Sequence, residues 1–270
     1  MTDDRSHDYD LLREAAQEAG KLALSYRGRA VEKSRKADGS FVTEADHAVD
    51  ALLAARLLGP RPDYGWLSEE SAEHEKRLEA RRVWVIDPID GTQAFIQGRD
   101  DWVIAIALIE DGAPVLAAVV NPIRGETFEA REGAGAFLNG HRIHASERSL
   151  LPGAKIIVPD SLLKNSRWRT PWPPLTQVWA YSSIYRLSLI ASAEADASFA
   201  LKPKWEWDIA AGALLVSEAG GIVTDPFGSP LKFNSAEAKV PGFLAAAPKL
   251  HQILAERMRD ALEGATVARG

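Results

Sequence analysis

The sequence places two carboxylates at the end of a predicted strand. Residues 82–86 form a short β-branched run that predicts a buried strand, and Asp87-Pro-Ile-Asp90-Gly-Thr92 follows it as a predicted loop. Two carboxylates that face one point repel each other unless a cation lies between them. Because the ligands would be oxygens and no histidine lies nearby, the pair favours Mg²⁺. The alternative is that Asp-Pro and Asp-Gly are simply turn formers.

The two residues after Asp90 suit a phosphate group. Gly91 allows the backbone to pass close to a ligand, and Thr92 is expected to begin a short helix toward Phe95. The first turn of a helix offers unpaired N–H groups and the positive end of the helix dipole, both of which attract a phosphate. The sequence therefore predicts a phosphate-binding turn beside the two carboxylates.

Three further acids are candidates, and each has a plain structural alternative. Glu69 follows a short apolar segment but could belong to a solvated charge run. Asp46 lies three residues after Thr43, so it could simply complement the dipole of a helix that Thr43 caps. Asp208 precedes a long apolar helix and could be its N-cap. Together with Asp87 and Asp90 these acids lie at strand or helix ends, where α/β folds usually build ligand sites.

Two of these stretches form a recognisable pair. Asp87-Pro-Ile-Asp90-Gly-Thr92 and Trp207-Asp208-Ile-Ala-Ala-Gly212 together resemble the paired signature of the inositol monophosphatase superfamily. Four further blocks match in family order, and the blocks span residues 36–221. They are Lys36-Ala-Asp38-Gly-Ser40, Val42-Thr43 through Asp46, Ser68-Glu69-Glu70-Ser71 and Glu218-Ala-Gly-Gly221. The segment Ser182-Ser183-Ile-Tyr-Arg186 resembles the 3'(2'),5'-bisphosphate nucleotidases of this superfamily more than its inositol enzymes.

The resemblance implies a layered αβαβα sugar-phosphatase fold of the mixed α/β class. It also implies a Mg²⁺-dependent, lithium-sensitive phosphomonoesterase that binds two or three ions and acts by metal-activated water attack. Positioning and charge neutralisation dominate such a reaction, and no phosphoenzyme is expected. The implied metal ligands are Glu69, Asp87, the backbone carbonyl of Ile89, Asp90 and Asp208. The implied catalytic residues are Asp46, Thr92 and Glu69, with Thr92 and Asp46 orienting and helping to deprotonate the water.

The implied substrate residues are less sharply defined. The Gly91 and Thr92 amides and Asp208 would face the phosphate, and Lys36 would approach it, unless it is only a solvated lysine. In inositol-specific relatives a glutamate seven residues before the aspartate of the Trp-Asp pair contacts ring hydroxyls, and this chain has Leu201 there. Ser183, Arg186, Lys202 and Lys204 complete the predicted set.

The cations of this set favour a substrate with a second phosphate. Arg186, Lys202 or Lys204 could neutralise that group and Trp205 could stack on a base, although these residues could instead rim the pocket or face solvent. The predicted substrate is adenosine 3',5'-bisphosphate, cleaved at its 3'-phosphate. The alternatives are inositol 1-phosphate or a sugar monophosphate, and a non-catalytic protein that binds a phosphometabolite.

The composition is that of an ordinary globular protein. The chain has 270 residues, of which 46% are hydrophobic and 26% charged, with a net charge of −6 and no cysteine. These values exclude disulfides and a cysteine nucleophile, and they argue against a nucleic-acid polymer or a membrane as partner. No apolar run reaches the length of a membrane span, and the acidic start does not resemble a signal peptide. We expect a cytoplasmic monomer or homodimer whose partner is a small phosphate ester.

The elements that must position these residues follow from periodicity and turn residues. A proline-rich basic stretch after residue 150 predicts a boundary between an N-terminal α+β domain, 1–150, which holds most metal ligands, and a C-terminal α/β domain, 151–270, which holds Asp208 and the substrate pocket. Two hairpins are predicted, 102–109 with 114–120, and 128–130 with 136–138. Helices are predicted at 9–27, 44–58, 182–193, 209–219 and 250–262.

Overall fold

The computed structural model describes residues 3–29, 32–36, 39–71 and 75–267. Ala37 and Asp38, from the first of the family-like blocks, lie outside these ranges. Seven α-helices form within the described ranges, and the sequence predicts all of them except the short α4. They are α1 (Asp3–Tyr26), α2 (Glu44–Leu58), α3 (Thr92–Ile96), α4 (Asp160–Leu163), α5 (Ser183–Ala191), α6 (Ala210–Glu218) and α7 (Pro248–Val267).

The same ranges contain sixteen strands and a 3-10 helix, Glu75–Glu79. The first nine strands are β1 (Lys33–Arg35), β2 (Phe41–Thr43), β3 (Gly65–Ser68), β4 (Arg82–Asp90), β5 (Val103–Glu110), β6 (Ala113–Asn121), β7 (Glu126–Arg131), β8 (Gly135–Leu138) and β9 (His141–Ile143). The others are β10 (Lys155–Ile157), β11 (Thr176–Gln177), β12 (Ala197–Ala200), β13 (Lys204–Trp205), β14 (Ile222–Thr224), β15 (Lys239–Val240) and β16 (Phe243–Ala246).

A seven-stranded sheet carries most of the candidate site residues. Its order is β3-β4-β5-β6-β7-β8-β9, and only the β3–β4 pair is parallel. Both predicted hairpins are confirmed as β5–β6 and β7–β8. The predicted end of the strand before Asp87 is wrong, because β4 continues to Asp90 with a shift of register against β5 between the two aspartates. Such irregularities re-aim side chains beside active sites.

A five-stranded sheet forms from the second half of the chain, in the order β11-β10-β12-β16-β14. The strands β11, β10 and β12 are parallel, whereas β16 is antiparallel to both of its neighbours. Two small antiparallel pairs, β1–β2 and β13–β15, lie outside the large sheets.

The two large sheets alternate with three layers of helices. The helices α1 and α2 cover one face of the seven-stranded sheet, α5 and α6 pack between the sheets, and α7 covers the five-stranded sheet. Alternating residues of β4 show why its sequence is apolar throughout: Trp84 packs with the α1–α2 layer and Val85 with the α5–α6 layer. The predicted mixed α/β class and αβαβα layering are confirmed. The domain division at residue 150 falls between β9 and β10 and stays a prediction.

Within the described ranges, no helix combines the length and the apolar character needed to cross a membrane. The longest apolar run of the sequence forms β5, a strand whose residues are all buried. Its hydrophobicity is therefore accounted for by its place inside a sheet that has helices on both faces.

Gly212, in the second family-like signature, permits close packing of α5 against α6. A Cβ atom at this position would lie 2.6 Å from the Cβ and Cδ1 atoms of Leu187. We expect Gly212→Ala to lower the free energy of unfolding by about 1–3 kcal/mol, because overpacking outweighs the better helix propensity of alanine. Denaturant unfolding measures this change. Ser217→Ala, on the exposed side of α6, is the control and should stay within about 0.5 kcal/mol of the native chain; equal stability of the two variants would contradict the prediction.

Candidate active site

Three carboxylates meet where the two halves of the chain come together. Glu69 directly follows β3, Asp87 lies in the neighbouring parallel strand β4, and Asp208 lies in the turn before α6. Each offers a carboxylate oxygen, and these oxygens all lie within 4.8 Å of one another. The fold therefore brings together three of the predicted metal ligands from positions up to 139 residues apart (208 − 69).

Of the three carboxylates, Asp87 lies in the environment least favourable to a negative charge. It is 1% exposed, and within the described part of the chain neither of its carboxylate oxygens has a hydrogen-bond partner. Burial, followed by the charges of Glu69 and Asp90, raises the pKa of Asp87 well above its ordinary value. An isolated buried carboxylate is costly unless a cation neutralises it. The arrangement of oxygen donors around Asp87 fits a hard divalent cation such as Mg²⁺.

Asp90 joins β4 to the start of α5. Its Oδ2 accepts hydrogen bonds from the Ser182 hydroxyl and from the Ile184 amide, both at 2.6 Å. Among the described residues, no hydrogen bond reaches its Oδ1, so this oxygen is available to a ligand. Burial raises the pKa of Asp90, although these donors oppose the shift. Ser182, which also caps α5, is a site residue missing from the predicted set; its signals were a serine at a predicted helix start and its place in the segment that resembles the nucleotidases.

Asp46 contacts both the start of α2 and Thr92, and its role in water activation stays a prediction. Its Oδ2 accepts hydrogen bonds from the Thr43 amide and hydroxyl at 2.8 and 2.5 Å, which completes a capping box at the start of α2. Its Oδ1 lies 3.2 Å from the hydroxyl of Thr92, which lies equally far from the carbonyl oxygen of Ile89. Burial raises the pKa of Asp46. The capping bonds thus orient a carboxylate whose second oxygen can take a proton from Thr92.

Gly91 forms the turn between β4 and α3. It has a φ of +96°, and a Cβ atom there would lie 3.2 Å from the carbonyl oxygen of Asp101. Both the conformation and the close approach require glycine. The predicted short helix is confirmed, since α3 begins at Thr92. Phosphate binding by the Gly91 and Thr92 amides stays a prediction.

Lys36 is a neighbour of the carboxylates and not a solvated lysine. Its Nζ lies 2.7 Å from Oε1 of Glu69 and 2.7 Å from Oε1 of Glu70. Although burial lowers the pKa of Lys36, the two acids raise it to about 12. Burial raises the pKa of Glu70 to about 7 in spite of the lysine. Lys36 therefore supplies positive charge at the edge of the cluster, and its contact with a phosphate stays a prediction.

Comparison with known proteins decides the family. The model of the inositol monophosphatase family matches residues 4–263. This chain belongs to the inositol monophosphatase family. Among curated relatives, Nus factor SuhB of Escherichia coli (strain K12) is 33% identical over 264 residues, which cover 93% of this chain and 95% of the relative. Nus factor SuhB of Xylella fastidiosa is 31% identical over 265 residues, 93% of this chain and 90% of the relative. Among solved structures, the Thermotoga maritima IMPase has a TM-score of 0.81 at 26% identity, covering 96% of this chain and 98% of its own.

In this member of the inositol monophosphatase family, a cavity of about 400 Å³ adjoins the carboxylates. Ser183, Arg186, Lys202 and Lys204 all line it, as does Leu201, so the fold brings the predicted substrate residues of the second half together. The Nζ of Lys204 lies 3.5 Å from the Ser183 hydroxyl and 3.7 Å from Oδ2 of Asp208. These contacts connect the cavity to the carboxylate cluster.

The N-cap alternative for Asp208 and the solvent-facing alternative for Arg186 are wrong. Asp208 is not the N-cap of α6, because the helix begins at Ala210 after an Ile209 cap and has no side-chain cap bond. Burial, followed by the charge of Asp90, instead raises the pKa of Asp208. Arg186 does not face solvent freely, since its Nε donates to the carbonyl of Ala180 at 2.7 Å and its guanidinium lies over the ring of Trp179.

Trp205 is poorly placed to stack on a base. Its ring stacks on Trp207 with 4.7 Å between centroids, and Nζ of Lys239 lies 4.0 Å from the ring centroid. It is not among the residues that line the cavity. The fold therefore assigns this aromatic side chain to local packing, a contact that the spacing of the tryptophans did not indicate.

Proposed function

We propose that this protein is a Mg²⁺-dependent phosphomonoesterase. The observation that carries the proposal is the meeting of Glu69, Asp87 and Asp208, where two buried Asp87 oxygens accept no hydrogen bond from any described residue. Membership of the inositol monophosphatase family supports it. Bound cations would neutralise such a cluster, and metal ions that neutralise charge are a main source of catalysis in phosphoryl transfer.

Each residue of the site has a proposed role that follows from its position. Glu69, Asp87, Asp90, Asp208 and the Ile89 carbonyl would hold the two or three Mg²⁺ ions. When bound, these ions supply Lewis acidity and neutralise charge on the phosphate and the leaving oxygen. Thr92 orients the attacking water and passes a proton toward Oδ1 of Asp46, which lies 3.2 Å from its hydroxyl. Lys36 and the amides of Gly91 and Thr92 hold the phosphate oxygens, and the attack proceeds without a phosphoenzyme.

For the substrate, we propose adenosine 3',5'-bisphosphate, hydrolysed at its 3'-phosphate. Support comes from Lys202 and Lys204 in the cavity and from the apolar Leu201, which offers no acceptor to inositol hydroxyls. Trp205 does not contribute to this support, because its ring packs on Trp207 and Lys239. Inositol 1-phosphate is the alternative, and it draws support from relatives that are named IMPases.

Phosphate release from both esters, with Mg²⁺ and then with excess chelator, tests the proposal. We expect turnover that requires Mg²⁺ and that favours the nucleotide in kcat/KM. A preference for inositol 1-phosphate would support the proposed phosphatase activity and contradict the proposed substrate. Release that continues in chelator, or no release from either ester or from a panel of sugar monophosphates, would contradict the phosphatase itself.

A second candidate comes from the curated relatives, which are named Nus factors. If this protein acts as a Nus factor, the acidic cluster need not be intact for that role. Complementation of an Escherichia coli strain that lacks SuhB, by the native chain and by Asp87→Asn, separates the candidates. Rescue by both proteins would favour the Nus role, whereas rescue by neither would count against it.

A further inference from the structure

A cation outside the predicted site lines the cavity beside the carboxylates. Arg167, in the segment that follows α4, shares this lining with Ser183, Lys202 and Lys204. Arg186 also lines the cavity, and no acid is among the described residues of the lining; Asp208, beside the cavity, lies 3.7 Å from Nζ of Lys204. A cavity whose lining cations outnumber the acid beside it attracts an anionic ligand.

The Arg167 side chain is oriented, but its charge is not paired. The backbone amide and Nε of Arg167 both donate to Oδ1 of Asn165, at 3.0 and 3.2 Å. Nowhere in the described ranges does a carboxylate come within ion-pair distance of its guanidinium, and Asp160, at the start of α4, pairs with Lys164 at 3.0 Å. The two terminal nitrogens of the guanidinium are therefore left for a ligand.

Trp168 anchors the segment that carries Arg167. It is 9% exposed, and its indole N–H donates to the carbonyl of Leu162 at 2.6 Å. Its ring packs edge-on against Trp172 and Phe199, with centroid distances of 4.9 and 5.9 Å. Because Leu162 and Phe199 themselves line the cavity, this anchor holds Arg167 in a defined position relative to it.

We propose that Arg167 is a specificity-determining residue that binds, together with Lys202, a second phosphate group of the substrate. The inference rests on the proposed phosphatase function, which places the phosphate to be cleaved at the carboxylate cluster. A planar guanidinium donates parallel hydrogen bonds to two oxygens of a phosphate, which a lysine does not. The apolar part of the lining, which includes Leu162 and Phe243, contacts the organic part of the molecule. The substrate class is a bisphosphorylated organic ester.

A comparison of two nucleotides that differ only in the second phosphate tests this proposal. We would measure kcat and KM for adenosine 3',5'-bisphosphate and for adenosine 3'-monophosphate with the native chain, Arg167→Ala, Arg167→Lys and Arg169→Ala. Arg167→Ala should raise KM for the bisphosphate about 10- to 100-fold, as expected for lost charge-assisted hydrogen bonds, with little change in kcat. KM for the monophosphate should not change. Arg167→Lys should recover only part of the loss, and the exposed Arg169, outside the cavity, serves as the control.

The outcomes separate this inference from the proposed function. Equal effects of Arg167→Ala on both nucleotides, no effect on either, or no preference of the native chain for the bisphosphate would overturn the role of Arg167 and leave the phosphatase in place. If the native chain cleaves neither nucleotide nor any monophosphate, the proposed function fails. In that case, calorimetry would measure the binding of adenosine 3',5'-bisphosphate to the two variants. Weaker binding by Arg167→Ala than by Arg169→Ala would support the proposed site for the second phosphate, and equal binding would contradict it.

Discussion

Asp87→Asn is expected to abolish Mg²⁺-dependent phosphate release and, in chelator, to stabilise the fold. The substitution keeps the shape of the side chain but removes a charge whose two oxygens have no hydrogen-bond donor among the residues that the structure describes. Loss of activity should exceed about 100-fold, because even the outer partners of metal ligands contribute 10- to 100-fold. Without metal, the same substitution removes repulsion among buried acids and should raise the free energy of unfolding, because the folded protein then no longer buries this charge.

The stability that Asp87→Asn gains over the native chain in chelator should increase as pH rises. Because the pKa of Asp87 is raised in the folded protein, its ionisation opposes folding above the ordinary carboxyl pKa of about 4. The native chain in chelator should therefore lose stability relative to Asp87→Asn as pH rises from about 4 toward neutrality. Thermal unfolding in chelator between pH 4 and pH 8 measures the difference.

A matched control for this variant is Asp63→Asn, at an exposed acid, which should change neither activity nor stability. Mg²⁺ should raise the melting temperature of the native chain and of the control, but not that of Asp87→Asn. Retention of Mg²⁺-dependent turnover by Asp87→Asn, or a lower stability in chelator, would remove Asp87 from the metal site.

Thr92→Val should lower kcat by about 10²- to 10⁴-fold, the usual contribution of a positioned proton-transfer group. Valine fills the same volume but cannot donate to Oδ1 of Asp46, which lies 3.2 Å from the threonine hydroxyl. Thr92→Ser keeps that hydroxyl and should retain most of the activity. Steady-state kinetics on the preferred phosphate ester measures the difference between the two variants.

Stabilisation by Mg²⁺ distinguishes the role predicted for Thr92 from the role predicted for Asp87. Thr92→Val leaves the carboxylates in place, so Mg²⁺ should stabilise it as much as the native chain, in contrast to Asp87→Asn. An unchanged kcat would remove Thr92 from water activation. A loss of Mg²⁺ stabilisation equal to that of Asp87→Asn would instead give Thr92 a structural role in the metal site.

The elements built from local signals were predictable. The helix α2 has the predicted bounds, because Thr43 and Asp46 form a capping box within four residues and apolar residues recur at helical spacing. The hairpin of β5 and β6 was equally predictable from the sequence, since a short turn joins two apolar runs. The end of β4 was not, because Asp-Pro and Asp-Gly are turn formers in isolation, yet pairing with β5 extends the strand to Asp90.

Residue types and their local spacing were enough to predict the chemical groups of the site and most of the elements that carry them. Tertiary structure alone decided how those groups meet: that Ser182 donates to Asp90 across 92 residues of chain, that Trp205 stacks on Trp207, and that Asn165 and Trp168 direct Arg167 toward the cavity. The physical reason is the distance along the chain over which each kind of interaction acts. Caps and periodicity act within a few residues, whereas burial and charge at Asp87 depend on groups from both halves of the chain, which only the packed layers bring together.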